Sequence, residues 1–429
     1  MTPEECGANV VCCTSLRTEP SERRREVDVP RRAEPVAAAI LPTVENLTHS
    51  LLGATLAELA LPSGATTPQR RIFFTTGIIA ANLPDADLLY SRIMPPPLGY
   101  LLHHRGHTHT LAGLIPLALL LGATSLLPRI APHVIRHRTR LWGLIAVGLL
   151  SHIVLDSWNS YGVHPFWPFD TRWYYGDVIF IFEPWLWLLL GVAATRNTQN
   201  PRSRVLLGGA LVLIAGALAV FRMIPVGALL ALAVGSVALA TIVRARTPRA
   251  SAALALALTA VFVAAMFGLR RDVHARALAS LSTSRGAVVD VVLSAQPANP
   301  LCWQALAITR DERAGEYAMT RGSVAALAPL GCGFGSDTWV RWDDPTPRSL
   351  VQLRDLTRRD CWVRAWMQFG RAPDISGGAI EDFRFGGAAR DNFTTMQLKP
   401  GDQAPVCPPN VTRWGMPRAD LLQASAAAP

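Results

Sequence analysis

Residues 103–109 read His-His-Arg-Gly-His-Thr-His, four imidazoles in seven residues, with an apolar run starting directly after them. Packing has no use for that density of ring nitrogens. Metal ligation does, because neutral imidazole is the commonest protein ligand for zinc and related cations. Further donors stand on either side. Pro84-Asp85-Ala86-Asp87 precedes the cluster, His49 lies near the start of the apolar region, and His152 and Asp156 follow in a later apolar run, with His164 beyond them. His152 and Asp156 are four apart, so a helix sets them on one face where both can approach one cation. Asp85 and Asp87, one residue apart in a loop after a proline, can give oxygen ligands to one or two metals. Taken singly, each has an ordinary reading: His49 as an interfacial histidine, Asp85 and Asp87 as turn formers, His152 with Asp156 as a hydrogen-bonded pair. Their joint occurrence points to a metal site built from His49, Asp85, Asp87, His104, His109, His152 and Asp156.

The elements that must position these donors are membrane helices. Half the chain is apolar, charged residues make up 17%, and mean hydropathy is +0.25, the profile of a polytopic membrane protein. Apolar runs at 109–127, 141–157, 178–195, 204–222, 223–243 and 250–269 each approach the ~20 residues that span a bilayer as a helix. Two shorter, partly polar helices are expected at 46–61 and 71–83, so the fold class is an α-helical polytopic domain of about six to eight membrane helices. The expected divisions are an N-terminal extension over 1–43, a metal-site domain over 44–195, further transmembrane helices over 196–270, and a smaller soluble domain over 271–429. In that last part, short apolar and aromatic runs such as Cys361–Phe369 and Phe393–Leu398 alternate with Gly/Asp/Pro turns, which suggests an α+β domain with an antiparallel sheet. Residues 1–43 are rich in Arg and Glu, hold Cys6, Cys12 and Cys13, and show no signal-peptide core; they read as disordered, or as sequence upstream of a start at Val44.

The net charge of +10 does not indicate a nucleic-acid partner, because the arginines concentrate in short loops. Arg129, Arg136, Arg138 and Arg140 fill one, Arg196, Arg202 and Arg204 a second, Arg244, Arg246 and Arg249 a third, and Arg70 and Arg71 mark a fourth. The positive-inside rule makes these loops cytoplasmic. Residues 84–108, 157–177 and the whole C-terminal part then share the opposite side, which in a bacterium is the periplasm or cell exterior. Every candidate donor falls at that side, without the motifs having been used to set it. Cys302, Cys332, Cys361 and Cys407 agree: an even number of cysteines in an oxidising space forms disulfides, in any of three pairings. The aromatic loop 157–177 suits the headgroup level of the bilayer.

These stretches resemble a known family. Glu45-Asn46-Leu47-Thr48-His49-Ser50, then Asn82-Leu83-Pro84-Asp85-Ala86-Asp87, then His103–His109, then Ser151-His152 through Asp156-Ser157-Trp158-Asn159, and finally Trp167-Pro168-Phe169 through Phe182-Glu183-Pro184-Trp185 are similar to the bacterial membrane-bound metal-dependent hydrolases, the LexA-regulated, inner-membrane-associated group. The resemblance covers about 45–190. Two positions depart from it: His107 stands where an apolar residue is usual and is not carried over as a ligand, and Glu183 stands where Asp is usual. His152-x-x-x-Asp156 followed by His164-Pro165 also looks like the metal motif of zinc-dependent phospholipases C.

What the resemblance implies is an inner-membrane hydrolase with about one to three divalent cations, zinc first among them. A bound water would have its pKa lowered toward ~7 and attack the substrate. Asp85 or Glu183 would orient that water, and Arg105, whose fork matches phosphate oxygens, would clamp the anion. His103 is a candidate to fix a ligand's tautomer. The expected partners are membrane lipids and an amphiphilic or phosphorylated substrate. The alternative is a non-enzymatic membrane protein whose metal ties its outer loops together and whose exported domain binds a partner or senses stress. A metal transporter fits poorly, since the spans beyond 196 lack the carboxylates and histidines of a transport path.

The charge alternation predicts the side of the C-terminal domain. An alkaline phosphatase reporter fused after Pro429 should be active; an inactive phosphatase together with a bright cytoplasmic-type fluorescent fusion would reverse the orientation.

Overall fold

In the computed structural model residues 34–423 are described, apart from 222, 283–285, 336, 387–391 and 399–405; for 34–45, 93 and 330 only the backbone is described. Residues 1–33 of the expected extension lie outside the described residues. Helix α1 is Glu34–Ala60, so helix begins before residue 46, where the apolar pattern starts. α2, Thr67–Asn82, opens on a capping box: Thr66 Oγ1 accepts from the Gln69 N–H at 3.5 Å and Gln69 Oε1 accepts from the Thr66 N–H at 2.9 Å, satisfying two N-terminal donors reciprocally. Pro84 removes an N–H from the ladder, and the chain tightens into a 3-10 turn over Leu83–Ala86 before continuing as α3, Asp87–Tyr90. The loop expected around Asp85 and Asp87 is therefore helical, and its tightness holds both carboxylates at the end of one span.

The next segment is a broken helix. α4, Leu98–His103, is followed by a turn at His107–His109 and by α5, Leu111–Ala123; the two arms are bent by 71°. Thr110 sits at the break and caps α5, accepting from the Gly113 N–H at 2.8 Å. After α6, Ala131–Val134, comes α7, Arg138–Asp156, whose buried residues Leu141, Leu144, Ile145, Gly148, Leu149, His152, Ile153 and Asp156 recur at the three-and-four spacing of one helix face. The face is apolar for three turns and then carries the two donors.

α8, Pro184–Asn197, has 14 residues, too few to span alone. The span expected over 178–195 is thus shortened from its start, because Glu183 caps α8 and ends the extended chain before it. α9, Pro201–Val220, α10, Val226–Arg244, and α11, Pro248–Ser280, follow. Among the described residues five stretches are long and apolar enough to cross a bilayer, six with the bent pair counted as one, close to the count expected. Val205, Leu206, Val212 and Leu213 of α9 and Val226 and Val234 of α10 are exposed, as lipid-facing residues are. α1 and α2 cross at glycines: a Cβ on Gly53 would lie 2.4 Å from the Gly77 carbonyl oxygen, and one on Gly77 would lie 2.5 Å from that of Gly53. Small residues permit this close approach of membrane helices, and His49 sits one turn before the crossing.

The C-terminal part is sheet-containing, as expected. β1, Ala287–Gln296, β2, Asn299–Asp311, β3, Glu316–Ala325, and β4, Val340–Trp342, form an antiparallel sheet in that order, and β5, Thr346–Ser349, also pairs with β3. α12, Leu350–Arg359, and α13, Cys361–Trp366, cover one face. β6, Pro373–Ser376, β7, Ala379–Asp382, and β8, Met396–Gln397, make a second small sheet, and α14, Ala419–Leu422, follows. The run from Cys361 is helical rather than extended because Asp360 Oδ1 accepts from the Trp362 and Val363 N–H groups at 2.7 and 3.4 Å and caps α13. Disulfides join Cys302 to Cys332 and Cys361 to Cys407, one of the three pairings open from sequence.

Both faces of the larger sheet are covered, and the strand alternation shows how. Val292, Leu306 and Ile308 pack with Leu350, Leu353 and Val363; Val291, Leu293, Ala305 and Ala307 pack with Val263, Met266, Val273 and Ala277 of α11. α11, with 33 residues, is about 50 Å long, well beyond the ~30 Å hydrocarbon core. It rises out of the helical bundle to become a floor for the sheet, so the division expected at 270/271 falls inside one helix. The aromatic 157–177 loop is also part of this join. Tyr161 and Trp173 are buried with Phe369 and Trp414, Trp173 Nε1 donates to the Gln368 carbonyl at 2.6 Å, and Trp414 Nε1 donates to the Leu102 carbonyl at 2.8 Å. Only part of the loop suits a bilayer surface, notably Phe169, which is 96% exposed.

A buried ion pair closes the join. Arg371 donates through both terminal nitrogens to Asp177 at 2.8 Å each and through Nε to Asp290 at 2.7 Å, with its guanidinium over the Tyr175 ring at 4.1 Å. Arg371→Ala should cost at most about 3–5 kcal/mol, because Arg270 at 3.9 Å from Asp177 and Arg418 at 3.3 Å from Asp290 stay to offset part of the loss; the loss is read as a lower denaturation midpoint and faster proteolysis of the C-terminal domain, and unchanged proteolysis would mean that this pair does not hold the two parts together.

Candidate metal centre

Two histidines are oriented by their far nitrogens. His152 Nδ1 faces the Ala81 carbonyl at 2.7 Å, a contact only an N–H can make, so the neutral ring presents a bare Nε2. His109 Nδ1 lies 3.2 Å from Asp87 Oδ2 and 3.0 Å from Thr108 Oγ1, which fixes its Nε2 in the same way. The two Nε2 atoms then face each other at 3.0 Å. Two lone pairs at that distance repel unless a metal ion or a shared proton lies between them.

Two carboxylates complete the group. Asp85 Oδ1 is 3.4 Å from His109 Nε2 and 3.3 Å from His152 Nε2. Asp156 Oδ2 is 3.2 Å from His109 Nε2 and 3.4 Å from His152 Nε2. A tetrahedral ion with bonds of about 2.0–2.1 Å has its ligand atoms about 3.3 Å apart; these five spacings are close to that edge length, and the four donor atoms all lie within 4.8 Å of one another. Asp156 Oδ2 is buried and accepts no hydrogen bond, although Arg105 Nε lies 3.3 Å away. A buried carboxylate oxygen is costly in that state; a divalent cation would satisfy it. The donor set of two imidazoles and two carboxylates fits zinc or a similar ion.

The remaining expected ligands have different places. Asp87 is fully buried, and its oxygens are engaged by protein: Oδ1 faces His104 Nδ1 at 3.0 Å, and Oδ2 accepts from the Arg105 N–H at 2.9 Å and the Thr108 hydroxyl at 2.8 Å. It orients His109, the carboxylate–histidine arrangement that tunes metal ligands. Asp85, Asp87 and His104 also offer a second group of donor atoms within 4.8 Å of one another, sharing Asp85 with the first. His49 stands one step out. Its ring stacks on His152 at 4.0 Å and its Nε2 is 3.3 Å from Asp156 Oδ1.

Residues 44–228 match the family model of the YdjM inner membrane protein. The match takes in every candidate donor and stops short of the sheet domain. Together with the apolar helices it supports a multi-pass inner-membrane protein. No curated protein and no solved structure matches the chain.

Arg105 has φ 58° and is buried. This left-handed turn sends its N–H to Asp87 and its guanidinium to the other side, where Nη1 donates to Asn159 Oδ1 at 3.1 Å and to the Asp156 carbonyl at 3.3 Å beneath the Tyr161 ring. Glu183 lies across a cavity of about 20 Å³ lined also by His49, Asp156 and Asn159, which is room for one water. Its Oε1 accepts from the Trp185 and Ala298 N–H groups at 3.1 and 3.2 Å. His103 faces the Met94 sulfur at 2.7 Å and His107 sits against Trp167 and Trp414. His164 is sandwiched between Trp173 and Trp414 at 3.9 Å each, and burial holds it down at about 3. It stays neutral and outside the donor group, so the phospholipase-like third histidine is not brought to the centre. Sequence reading missed Thr108, Asn159 and Tyr161; the first two stand inside the motifs, in His-Thr-His and Asp-Ser-Trp-Asn.

Burial pushes the Glu183 carboxyl up to about 8 from an ordinary 4.5, against the pull of its two N–H donors. A raised folded value means stability that is fully present below the ordinary value and lost as pH rises through the folded one. Thermal stability in detergent should therefore fall between about pH 4.5 and 8, and Glu183→Gln should flatten that fall; an identical pH profile in the variant would remove Glu183 as its source.

Proposed function

We propose that this chain is an inner-membrane metal-dependent hydrolase that cleaves a phosphoester of a lipid or envelope substrate at the extracytoplasmic face. The observation that carries the reading is the excess of donors around one point. Four atoms with tetrahedral spacing would close a structural site, yet His104 with Asp87, His49 with the second oxygen of Asp156, and a water-sized cavity beside that oxygen adjoin the same group. A divalent cation there would lower the pKa of a coordinated water toward ~7 and polarise a phosphoryl oxygen.

The chain's own residues supply the rest. Asp87 fixes the rings of His104 and His109. Asp85, whose side chain is 12% exposed against 0–3% for the other three donors, orients water as general base. Glu183, neutral near pH 7, holds a proton at the far wall of the small cavity. Arg105 balances Asp156 and adds positive charge where an anionic transition state forms. An apolar cavity of about 580 Å³, lined by Pro95, Pro97, Tyr100, Trp362, Phe393 and Leu398, leads to Tyr100, whose ring is 4.8 Å from that of His104. It suits the apolar part of an amphiphilic substrate. The arginine-rich loops and the two disulfides support the outer side.

One observation favours a second reading. The four donors are all protein groups and three are fully enclosed, as in a structural site; the ion would then pin α2, α5 and α7 together.

Metal analysis paired with a model phosphodiester, bis(p-nitrophenyl) phosphate, separates the two. His152→Ala and Asp156→Ala should lose metal and turnover while remaining in the membrane, and Asp87→Asn should weaken metal affinity about 10–100-fold. Arg105→Lys keeps charge without the fork; it should retain metal and lose turnover by about 10²–10³. Full turnover in Arg105→Lys would remove its assigned role. Stoichiometric metal without hydrolysis, and with large losses of thermal stability in the ligand variants, would select the structural reading.

A further inference from the structure

Away from the metal centre, α8, α9 and α10 surround a cavity of about 1130 Å³, larger than the ~300–1,000 Å³ of ordinary ligand pockets. α9 and α10 each pack on α8 and hardly on each other, which leaves the space between them. Its walls include Trp187, Leu188, Leu211, Val212 and Leu232. Three arginines also line it: Arg196 in the last turn of α8, Arg204 in the first turn of α9 and Arg244 at the end of α10.

These arginines have no anion of their own. The sequence holds no Asp or Glu from 184 to 271, and among the described residues none of the three forms an ion pair with a carboxylate. Two are steadied by backbone: Arg196 Nη2 donates to the Arg244 carbonyl at 3.5 Å, and Arg204 donates through Nε and Nη2 to the Thr198 carbonyl at 3.1 and 2.7 Å. A guanidinium has five donors, so each has capacity left for phosphate oxygens. Fixed cations at one end and apolar walls beyond them match one chemistry.

We infer that this cavity is a binding site for an anionic phospholipid, with the phosphate held by Arg196, Arg204 and Arg244 and an acyl chain lying against Leu211, Val212 and Leu232. Basic pockets between membrane helices bind such headgroups. The site is independent of the metal chemistry and stands at the opposite ends of the helices from the sheet domain's join to α11.

The test is native mass spectrometry of the full chain in mild detergent, titrated with phosphatidylglycerol or phosphatidylcholine. Wild type should retain phosphatidylglycerol preferentially. The triple variant Arg196→Ala/Arg204→Ala/Arg244→Ala should bind it about a hundredfold more weakly, at ~1 kcal/mol per arginine near the headgroups. Ala233→Trp, which fills the cavity with the arginines intact, should also weaken binding. Arg202→Ala/Arg246→Ala, outside the cavity, should not, and an unchanged thermal unfolding midpoint in detergent would report a preserved fold. The proposal is overturned by equal affinity for the two lipids, by retention in either the triple variant or Ala233→Trp, or by a wild-type dimer that Ala233→Trp dissociates, which would make a second copy the occupant.

Discussion

Two imidazole nitrogens and two carboxylates meet at the ends of apolar helices, and three separate elements of the chain must be held in place for that meeting. Unpaired, these groups would be among the most costly things a membrane bundle could contain. They arrive on three devices. The tight turn after α2 carries Asp85, the break between α4 and α5 carries His109, and the last turn of α7 carries His152 and Asp156. The far side of each ring is held by something that dictates its tautomer, a backbone carbonyl for His152 and Asp87 for His109. Without these outer contacts the nitrogens would be free to present N–H groups instead, and the group could not offer bare Nε2 atoms to a cation.

The C-terminal domain is built into this arrangement rather than tethered to it. α11 serves as a span at one end and as a layer beneath the sheet at the other. The loop directly after Asp156 has its Tyr161 ring over Arg105 on one side and packed with Phe369 on the other. Arg384 reaches across to the Ser160 carbonyl at 2.6 Å. The sheet domain thus braces the loop that positions the guanidinium beside Asp156. The Asp177–Arg371 pair does the same for the loop's other end.

The donor group was legible in the sequence because its chemistry is local. His152 and Asp156 share a helix face by spacing alone, and the histidine run supplies His109 and His104, while His103 and His107 of the same run pack against Met94 and against Trp167 and Trp414. The charge pattern of the loops brought the motifs to one side before any contact was known. What spacing did not separate was ligand from support. Asp85 and Asp87 look alike in sequence, and only the fold shows that Asp87 spends its oxygens on Arg105, Thr108 and His104. Glu183 likewise looks like one more acid until Trp185 and Ala298, the latter 115 residues away, claim the same oxygen. The α+β character of the C-terminal part was readable from its alternating runs, whereas α13 was not, since a cap at Asp360 outweighs an aromatic pattern. The continuity of α11 through the expected boundary was hidden because hydropathy falls where the helix leaves lipid, not where it ends.

X-ray absorption at the metal edge of the purified protein tests the central claim most directly. A stoichiometric ion should appear with a shell of nitrogen and oxygen only, at about 2.0–2.2 Å with imidazole scattering beyond it, and that signal should be lost in His152→Ala. A folded wild-type protein that binds no metal, or a sulfur shell at about 2.3 Å, would contradict the claim.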